Sequence, residues 1–79
     1  MKDLVEHIFK SLVTKPEAVE VKKEVQDGII NLIVKVDQKD MGLAIGRQGN
    51  TIRAIRTLVK TRALVEKKKV QLTLGEINN

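Results

Sequence analysis

The strongest constraint on this chain is the stretch at residues 45–52, in which Gly46 and Gly49 enclose two polar residues, Arg47 and Gln48, and an isoleucine stands at each end. The pattern predicts a helix, a sharp turn and a second helix, because Gly46 can end a helix with a positive φ at little cost. Gly49 lets backbone N–H groups approach a ligand without a Cβ in the way. Such groups, at a helix N-terminus beside an arginine, favour an anion. The stretch alone fits either a phosphate clamp or an ordinary interhelical turn.

The composition predicts one domain covering residues 1–79, since 42% of the 79 residues are hydrophobic, enough for one core. Without cysteine the chain has neither a disulfide framework nor a thiolate metal site, which suits a reducing cytoplasm. No apolar run approaches the roughly 20 residues needed to cross a bilayer, and the charged N-terminal segment does not resemble a signal peptide. We therefore expect a cytoplasmic protein with no membrane association.

Positive charge is concentrated in one third of the chain. Residues 47–69 contain eight basic residues and one acidic residue, a net charge of +7, whereas the remainder has seven basic and nine acidic residues, a net charge of −2. This asymmetry favours a surface directed at a polyanion. The alternative is a charged helix face that is simply solvated.

The N-terminal segment predicts an amphipathic helix over residues 3–13. Asp3 suits its N-cap, and Pro16 ends it, because proline biases the preceding residue away from the α region. The only histidine, His7, falls on the polar side, so we expect it to be exposed, without a metal or catalytic role. The apolar residues recur at helical spacing and form one stripe, namely Leu4, Val5, Ile8, Phe9, Leu12 and Val13.

Two strands joined by a tight hairpin are predicted next. Residues 18–26 alternate, and they place Val19, Val21 and Val25 on one face. Asp27-Gly28 then favours a type I′ turn. In the second strand, residues 29–36, both faces carry apolar side chains, so we expect a central strand that is partly covered on both sides. One face has Ile30, Leu32, Val34 and Val36, and the other has Ile29 and Ile33.

The second half of the chain predicts two helices and a last strand. A polar connection, in which Asp37 or Asp40 caps the next element, leads to a short helix over residues 41–45. Gly42 within that helix costs about 1 kcal/mol relative to alanine and suggests close approach of a backbone or a ligand. A longer helix begins at Asn50 or Thr51; Ile52, Ile55, Leu58, Val59 and Ala63 face inward, beside a basic stripe of Arg53, Arg56 and Lys60.

After a basic turn at residues 66–69, a last strand alternates Val70, Leu72 and Leu74 with polar residues, and residues 75–79 form a tail. The predicted order is α-β-β-α-α-β, an α+β fold in which a three-stranded mixed sheet carries three helices on one face. The first two strands are antiparallel. The two-helix crossover allows the second and third strands to be parallel neighbours.

Gly42-x-x-Ile45-Gly46-Arg47-Gln48-Gly49-x-x-Ile52-x-x-Ile55 resembles the core motif of the KH domain, and the element order resembles its prokaryotic, type II arrangement. The small size and the segments at residues 40–46 and 54–59 resemble the small bacterial stand-alone KH proteins of the KhpA type. The resemblance covers nearly the whole chain. It implies RNA binding of the RNA chaperone type, a homodimer or a heterodimer with a larger KH-containing protein, and a role in cell shape and cell wall organization. One departure is Arg47-Gln48, where a lysine is often found.

The resemblance also implies a site for about four unpaired nucleotides of single-stranded RNA. Arg47 would contact phosphate, and Gln48 and Asn50 would act as neutral donors. The other residues of the site would form the near wall of an RNA groove, the glycine loop, the basic stripe and the far wall of the groove. The full set is Gly42, Leu43, Ile45, Gly46, Arg47, Gln48, Gly49, Asn50, Ile52, Arg53, Arg56, Lys67, Lys68 and Lys69. For Ile45 a core position and a groove position are both open, whereas Ile55 is expected in the core.

An enzyme and a protein-interaction module are the two other classes of function to compare with RNA binding. An enzyme is disfavoured, because the chain has no cysteine, its one histidine lacks an evident partner and the glycine spacing does not match a phosphate-binding Walker loop. We expect no cofactor, metal or small-molecule substrate. The alternative is a protein-interaction module that dimerises or recruits a larger partner, through Ile29 and Ile33 or through Leu64 and Val65. The only aromatic residue, Phe9, is expected to be buried, which argues against base-stacking platforms.

Overall fold

A computed structural model describes residues 1–77 and shows the predicted order of elements. The helices are α1 (Lys2–Leu12), α2 (Met41–Ile45) and α3 (Asn50–Val65), and the strands are β1 (Glu20–Gln26), β2 (Ile29–Asp37) and β3 (Lys69–Ile77). Short 3₁₀ turns occupy Pro16–Ala18, Gln38–Asp40 and Arg47–Gly49. Within the described range, no helix is long and apolar enough to cross a membrane.

The sheet has the order β1-β2-β3 and the predicted directions. β1 and β2 are antiparallel across a hairpin in which Asp27 and Gly28 both have positive φ, 53° and 76°, as a type I′ turn requires. β2 and β3 are parallel, with Leu32 opposite Leu72. β2 is therefore the central strand, and the α+β fold with a three-stranded mixed sheet of type II KH arrangement is confirmed.

The core lies between the helices and one face of the sheet. It contains Val5 and Phe9 from α1, Ala44 from α2, four residues of α3, and inward-facing strand residues such as Leu32 and Val34. Phe9 is fully buried and His7 is exposed, as predicted. The remaining members are Val19, Val36, Ile52, Ile55, Val59, Ala63, Val70 and Leu72.

One prediction about apolar residues was wrong and another was too strong. Leu58 does not face inward and is 49% exposed, because it lies about 120° around α3 from Ile52 at 100° per residue. Val25 shares a face with Val21 as predicted, and it is 61% exposed because it lies at the hairpin end of β1, an edge strand. Ile29 and Ile33 are half-buried, yet all three helices pack on the opposite face of the sheet, so no second layer covers them within residues 1–77.

Several boundaries also differ from prediction. α1 begins one residue before Asp3, so that Asp3 lies in its first turn and Met1 occupies the N-cap, and β1 begins two residues later than expected. β3 continues through Gly75 to Ile77, where a tail was predicted, because this segment extends the parallel ladder with the end of β2. The last two residues of the predicted tail, Asn78 and Asn79, lie outside the described residues.

The carboxylate of Asp40 connects the segment after α1 to the start of α2. It accepts hydrogen bonds from the Thr14 hydroxyl at 2.7 Å and from the backbone N–H groups of Thr14 and Lys15 at 3.2 and 3.1 Å. Its side chain does not cap α2, whereas Asp37 accepts from the Lys39 N–H and caps the preceding turn. Only 1% of Asp40 is exposed, and its three donors satisfy a group that would otherwise be costly to bury.

We expect Asp40→Asn to lower the Tm at pH 7 by several degrees, since an amide NH₂ would then face a backbone N–H. The Thr14 hydroxyl, with smaller help from the backbone N–H groups and Lys15, lowers the pKa of Asp40 below its ordinary value of 3.8, against the effect of burial. A lowered folded-state pKa stabilises the protein above the unfolded-state value, and this contribution is lost as the pH falls through the folded-state pKa.

The difference in Tm between wild type and Asp40→Asn should therefore shrink as the pH is lowered from 7 to about 3, as measured by thermal unfolding followed by circular dichroism. A difference that stays constant over this range would show that the charge on Asp40 contributes nothing.

Candidate nucleic-acid interface

The connection between α2 and α3 holds three positive φ angles within four residues. Gly46 has φ 78° and ψ 171°, Gln48 has φ 56° and ψ 27°, and Gly49 has φ 75°. The first of these conformations is accessible essentially only to glycine. Gly46 thus ends α2 as predicted, and the chain reverses within the turn Arg47–Gly49 before α3 starts at Asn50.

The two glycines are required for different reasons. A Cβ on Gly46 would overlap the Thr51 side chain and lie 2.8 Å from the Thr51 backbone nitrogen, so no side chain fits. A Cβ on Gly49 would find only the Arg53 guanidinium, 3.8 Å away. Gly46 is therefore needed for space and conformation, and Gly49 mainly for conformation.

The reversal leaves two backbone donors free. The N–H of Gly46 bonds to Gly42, that of Gly49 bonds to Gly46, and that of Asn50 bonds to Arg47. In the hydrogen-bonding pattern of residues 1–77, the N–H groups of Arg47 and Gln48 have no protein acceptor. Because both residues are exposed, these donors are open to a ligand.

Arg53 adds positive charge directly at the loop. Its guanidinium lies 3.3 Å from the Asn50 side-chain oxygen and 3.5 Å from the carbonyl oxygen of Gln48. Arg47 extends from the loop itself and is exposed. The loop therefore carries two free N–H groups and the Arg47 side chain, and it adjoins the Arg53 guanidinium and the N-terminus of the 16-residue α3, a combination that suits an anion such as phosphate.

A groove lies between α3 and β3 and begins at Arg56, about one helical turn beyond Arg53. Arg56 and Lys60 line it on the helix side, and Leu72 and Thr73 line it on the strand side, with a volume of about 360 Å³. β3 is an edge strand, and the Nε of Arg56 donates to the carbonyl oxygen of Leu72 at 3.4 Å, which covers part of that edge.

Only some residues of the predicted near wall are exposed to solvent. Leu43 is 50% exposed and Ile45 is 37% exposed, so both can face a ligand. Gly42 is exposed, and a Cβ there would meet nothing within 4 Å, so no protein backbone approaches it. Ile52 is buried in the core with Ile55 and is not part of the surface.

The structure does not bring the predicted basic turn to the loop. Lys67, Lys68 and Lys69 follow α3, whose 16 residues span about 24 Å, so they lie at the opposite end of the helix. Lys60, in contrast, was predicted on the basic stripe but not among the site residues, and it lines the groove. Its i+7 spacing from Arg53 was the available signal.

No cluster of three or more metal-binding side chains occurs in the part of the chain that the structure describes. The groups at the loop offer hydrogen bonding and charge attraction toward an anionic chain.

We expect Gly46→Ala to destabilise the protein more than Gly49→Ala. Either alanine pays about 1–2 kcal/mol for a positive φ, and Gly46→Ala adds a steric overlap with Thr51 of about 1–3 kcal/mol. Urea unfolding of the two variants measures the difference, and equal losses would contradict the packing described for Gly46.

Known proteins share the sequence and the fold of this chain. A sequence model of the KH domain of KhpA/KhpB matches residues 2–74. RNA-binding protein KhpA of Clostridium perfringens is 53% identical over 70 residues, which cover 89% of this chain and 93% of that protein. RNA-binding protein KhpA of Bacillus subtilis is 39% identical over 74 residues, covering 94% of this chain and 91% of that protein. These matches to RNA-binding proteins of the KH family confirm the expectation that the chain is not an enzyme.

The fold is also found within larger proteins. Aquifex aeolicus Era bound to GDP·AlF4⁻ superposes with a TM-score of 0.68 at 18% identity, covering 99% of this chain and 31% of that one. Era in complex with MgGDPNP and nucleotides 1506–1542 of 16S ribosomal RNA gives a TM-score of 0.65 at 20% identity, covering 95% and 29%. This chain thus spans under a third of either protein, and the likeness concerns the fold. By sequence and by fold, the chain belongs to the KhpA/KhpB family of KH domains.

Proposed function

We propose that this chain, as a single KH domain over residues 1–79, binds single-stranded RNA by clamping its sugar-phosphate backbone at the Gly46–Gly49 loop. The observation that carries the proposal is the pair of free N–H groups of Arg47 and Gln48, in an exposed loop that also carries the Arg47 side chain and is contacted by the guanidinium of Arg53. The names of the relatives, RNA-binding protein KhpA, support the same ligand.

In this mechanism a phosphate accepts hydrogen bonds from the loop N–H groups, and Arg47 pairs with it. Gln48 and Asn50 act as neutral donors, while Arg53 and Arg56 attract the neighbouring phosphates. About four nucleotides then lie along the groove between α3 and β3, as in other KH domains. Gly42 leaves room for the strand, and Leu43 and Ile45 present apolar surface to the bases.

Binding through one domain should be modest in affinity and tolerant of sequence. Phe9, the only Phe, Tyr or Trp residue, is fully buried, so none of these side chains is available to stack on a base. Aromatic stacking is worth about 1–3 kcal/mol per base in single-strand binders that use it. Backbone contacts carry little sequence information, which suits an RNA chaperone that acts on many RNAs in the cytoplasm.

We expect the double variant Arg47→Asp, Gln48→Asp to lose RNA binding, by at least about tenfold, because each new carboxylate would face phosphate. The matched control is Gln38→Asp, Lys39→Asp, which makes the same change in charge on an exposed turn at the other end of α2. Fluorescence anisotropy with a labelled mixed-sequence RNA measures binding, and circular dichroism checks the fold. Equal affinities for the two double variants would remove the loop from the site.

Salt dependence provides a second readout of the same titration. About three phosphate contacts give a slope near −2 in a plot of log K against log salt concentration for a single strand. The slope should be shallower for the loop variant, and a flat response in wild type would contradict a backbone clamp.

A second candidate function, dimerisation, is favoured by the outward side of α3. Ala54, Leu58, Thr61 and Val65 follow one another at i, i+4, i+7 and i+11, and Leu58 and Val65 are 49% and 76% exposed. This stripe lies away from Arg56 and Lys60, so a partner there would leave the groove open. A second KH domain, from another copy or from a larger KH-containing protein, would raise the effective concentration on one RNA.

We expect the protein to form dimers at micromolar concentration and Leu58→Asp to be monomeric, because the change would bury a charge at the interface. Sedimentation measures the mass, with Val25→Asp on β1 as the control for an exposed valine outside the stripe. A wild-type protein that stays monomeric, or a Leu58→Asp protein that stays dimeric, would contradict this interface.

On the resemblance to KhpA-type proteins we also propose a cellular location and process for this activity. We place the RNA-binding activity in the cytoplasm, in processes of cell shape and cell wall organization. A larger KH-containing protein remains the alternative to a second copy of this chain as the partner. We assign no small-molecule substrate, cofactor or membrane role.

A further inference from the structure

A second groove lies at the far end of α3, beyond the four-nucleotide site. Its floor is apolar and is built from Ile29 of β2, Ala63 and Leu64 of α3 and Val70 of β3. Three lysines, Lys60, Lys68 and Lys69, stand around it, and its volume is about 390 Å³. Leu64 is 77% exposed, so a leucine among lysines faces solvent here.

This far groove adjoins the groove lined by Arg56, since Lys60, Val70 and Gln71 line both. We call the two grooves together the trench. It runs along the β3 side of α3 from Arg56 to the lysines that follow the helix.

The charge of the far groove is unbalanced. Lys60 and Lys69 form no ion pair within residues 1–77. Lys68 lies 3.7 Å from Glu66, but that carboxylate is also 3.3 Å from the Nε of Arg62. One acid is thus shared by two cations, and the surface retains net positive charge. Such a surface is complementary to a polyanion with apolar flat faces.

We propose that the far groove is a second contact for the same RNA strand, with a base on its apolar floor and phosphates at Lys60, Lys68 and Lys69. This inference rests on the proposed RNA clamp and extends it. At about 3.4 Å per nucleotide, the spacing along one strand of a duplex, the roughly 24 Å of α3 would hold about seven nucleotides, and a more extended strand would hold fewer. The footprint of one domain on this proposal is therefore at most about seven nucleotides, and the far groove holds those that lie beyond the site near the loop.

Leu64 and Val65 belong to different surfaces on this account. Leu64 borders the trench beside β3, whereas Val65 continues the outward stripe of Leu58. The two residues, which the sequence grouped as one possible partner surface, therefore serve RNA and a partner protein separately.

The test compares labelled RNAs of about four and about ten nucleotides bound to wild type, Leu64→Asp and the double variant Lys68→Ala, Lys69→Ala, whose two lysines line only the far groove. The control is Val25→Asp, which introduces the same charge as Leu64→Asp at another exposed apolar residue, on β1. Each variant is compared with wild type on the same RNA, so the larger number of registers on the longer strand cancels.

We expect both trench variants to bind the longer RNA about five- to tenfold more weakly than wild type while binding the four-nucleotide RNA almost equally. The salt slope for the longer RNA should also become shallower by about 0.7 for each lysine contact removed. Val25→Asp should match wild type for both lengths.

Equal loss for the two lengths, or no loss for the longer RNA, would overturn the second contact while leaving the loop clamp standing. A trench variant that changes only the mass of the protein would assign the far groove to a protein partner and overturn the inference. Failure of wild type to bind either RNA would overturn the clamp and the second contact together.

Discussion

The backbone conformation of residues 46–49 is the constraint on which the rest of the site depends. With Gly46 packed against Thr51 and positive φ angles at Gln48 and Gly49, α3 must start directly beside the end of α2. That placement fixes the rotation of α3. Ile52 and Val59 then enter the core while Arg53 lies over the loop. The same tight reversal leaves the N–H groups of Arg47 and Gln48 without protein acceptors.

α2 is too short to be stable by itself, since isolated helices of fewer than about 12 residues are marginal in water. Contacts with other parts of the protein hold both ends of α2 in place. Asp40, with its three hydrogen bonds to Thr14 and Lys15, ties its start to the segment after α1, and Ala44 is fully buried in the core. The loop is therefore presented by a helix that is anchored on both sides, which limits the entropy lost when an anion binds.

The parts of this structure that sequence predicted well are those set by local patterns. The Asp27-Gly28 hairpin, the helix end at Gly46 and the alternation of β2 follow from turn chemistry and periodicity. The errors arise where tertiary context decides. Leu58 is apolar and follows Ile55 by three residues, but it lies on the outward side of α3, outside the core stripe. The link from Asp40 to Thr14 crosses 26 residues of sequence and has no local signal.

The candidate site was predictable only in part for the same reason. A motif identifies the loop, yet the position of Lys67–Lys69 depends on the length of α3, and the division between Leu64 and Val65 depends on where β3 packs. Two surfaces therefore lie on different sides of α3. The trench lies beside β3, and the apolar stripe faces away from it. This separation is what would let one domain hold RNA and a partner at once.

The central claim is that RNA phosphate is bound by the backbone donors of the loop. Amide chemical shifts recorded by NMR during titration with a four-nucleotide RNA test it most directly. The account predicts that the amide resonances of Arg47, Gln48 and Gly49 shift most, while those of Lys22 and Ile33 on the open sheet face do not move. Large shifts on the sheet face with an unchanged loop would contradict it.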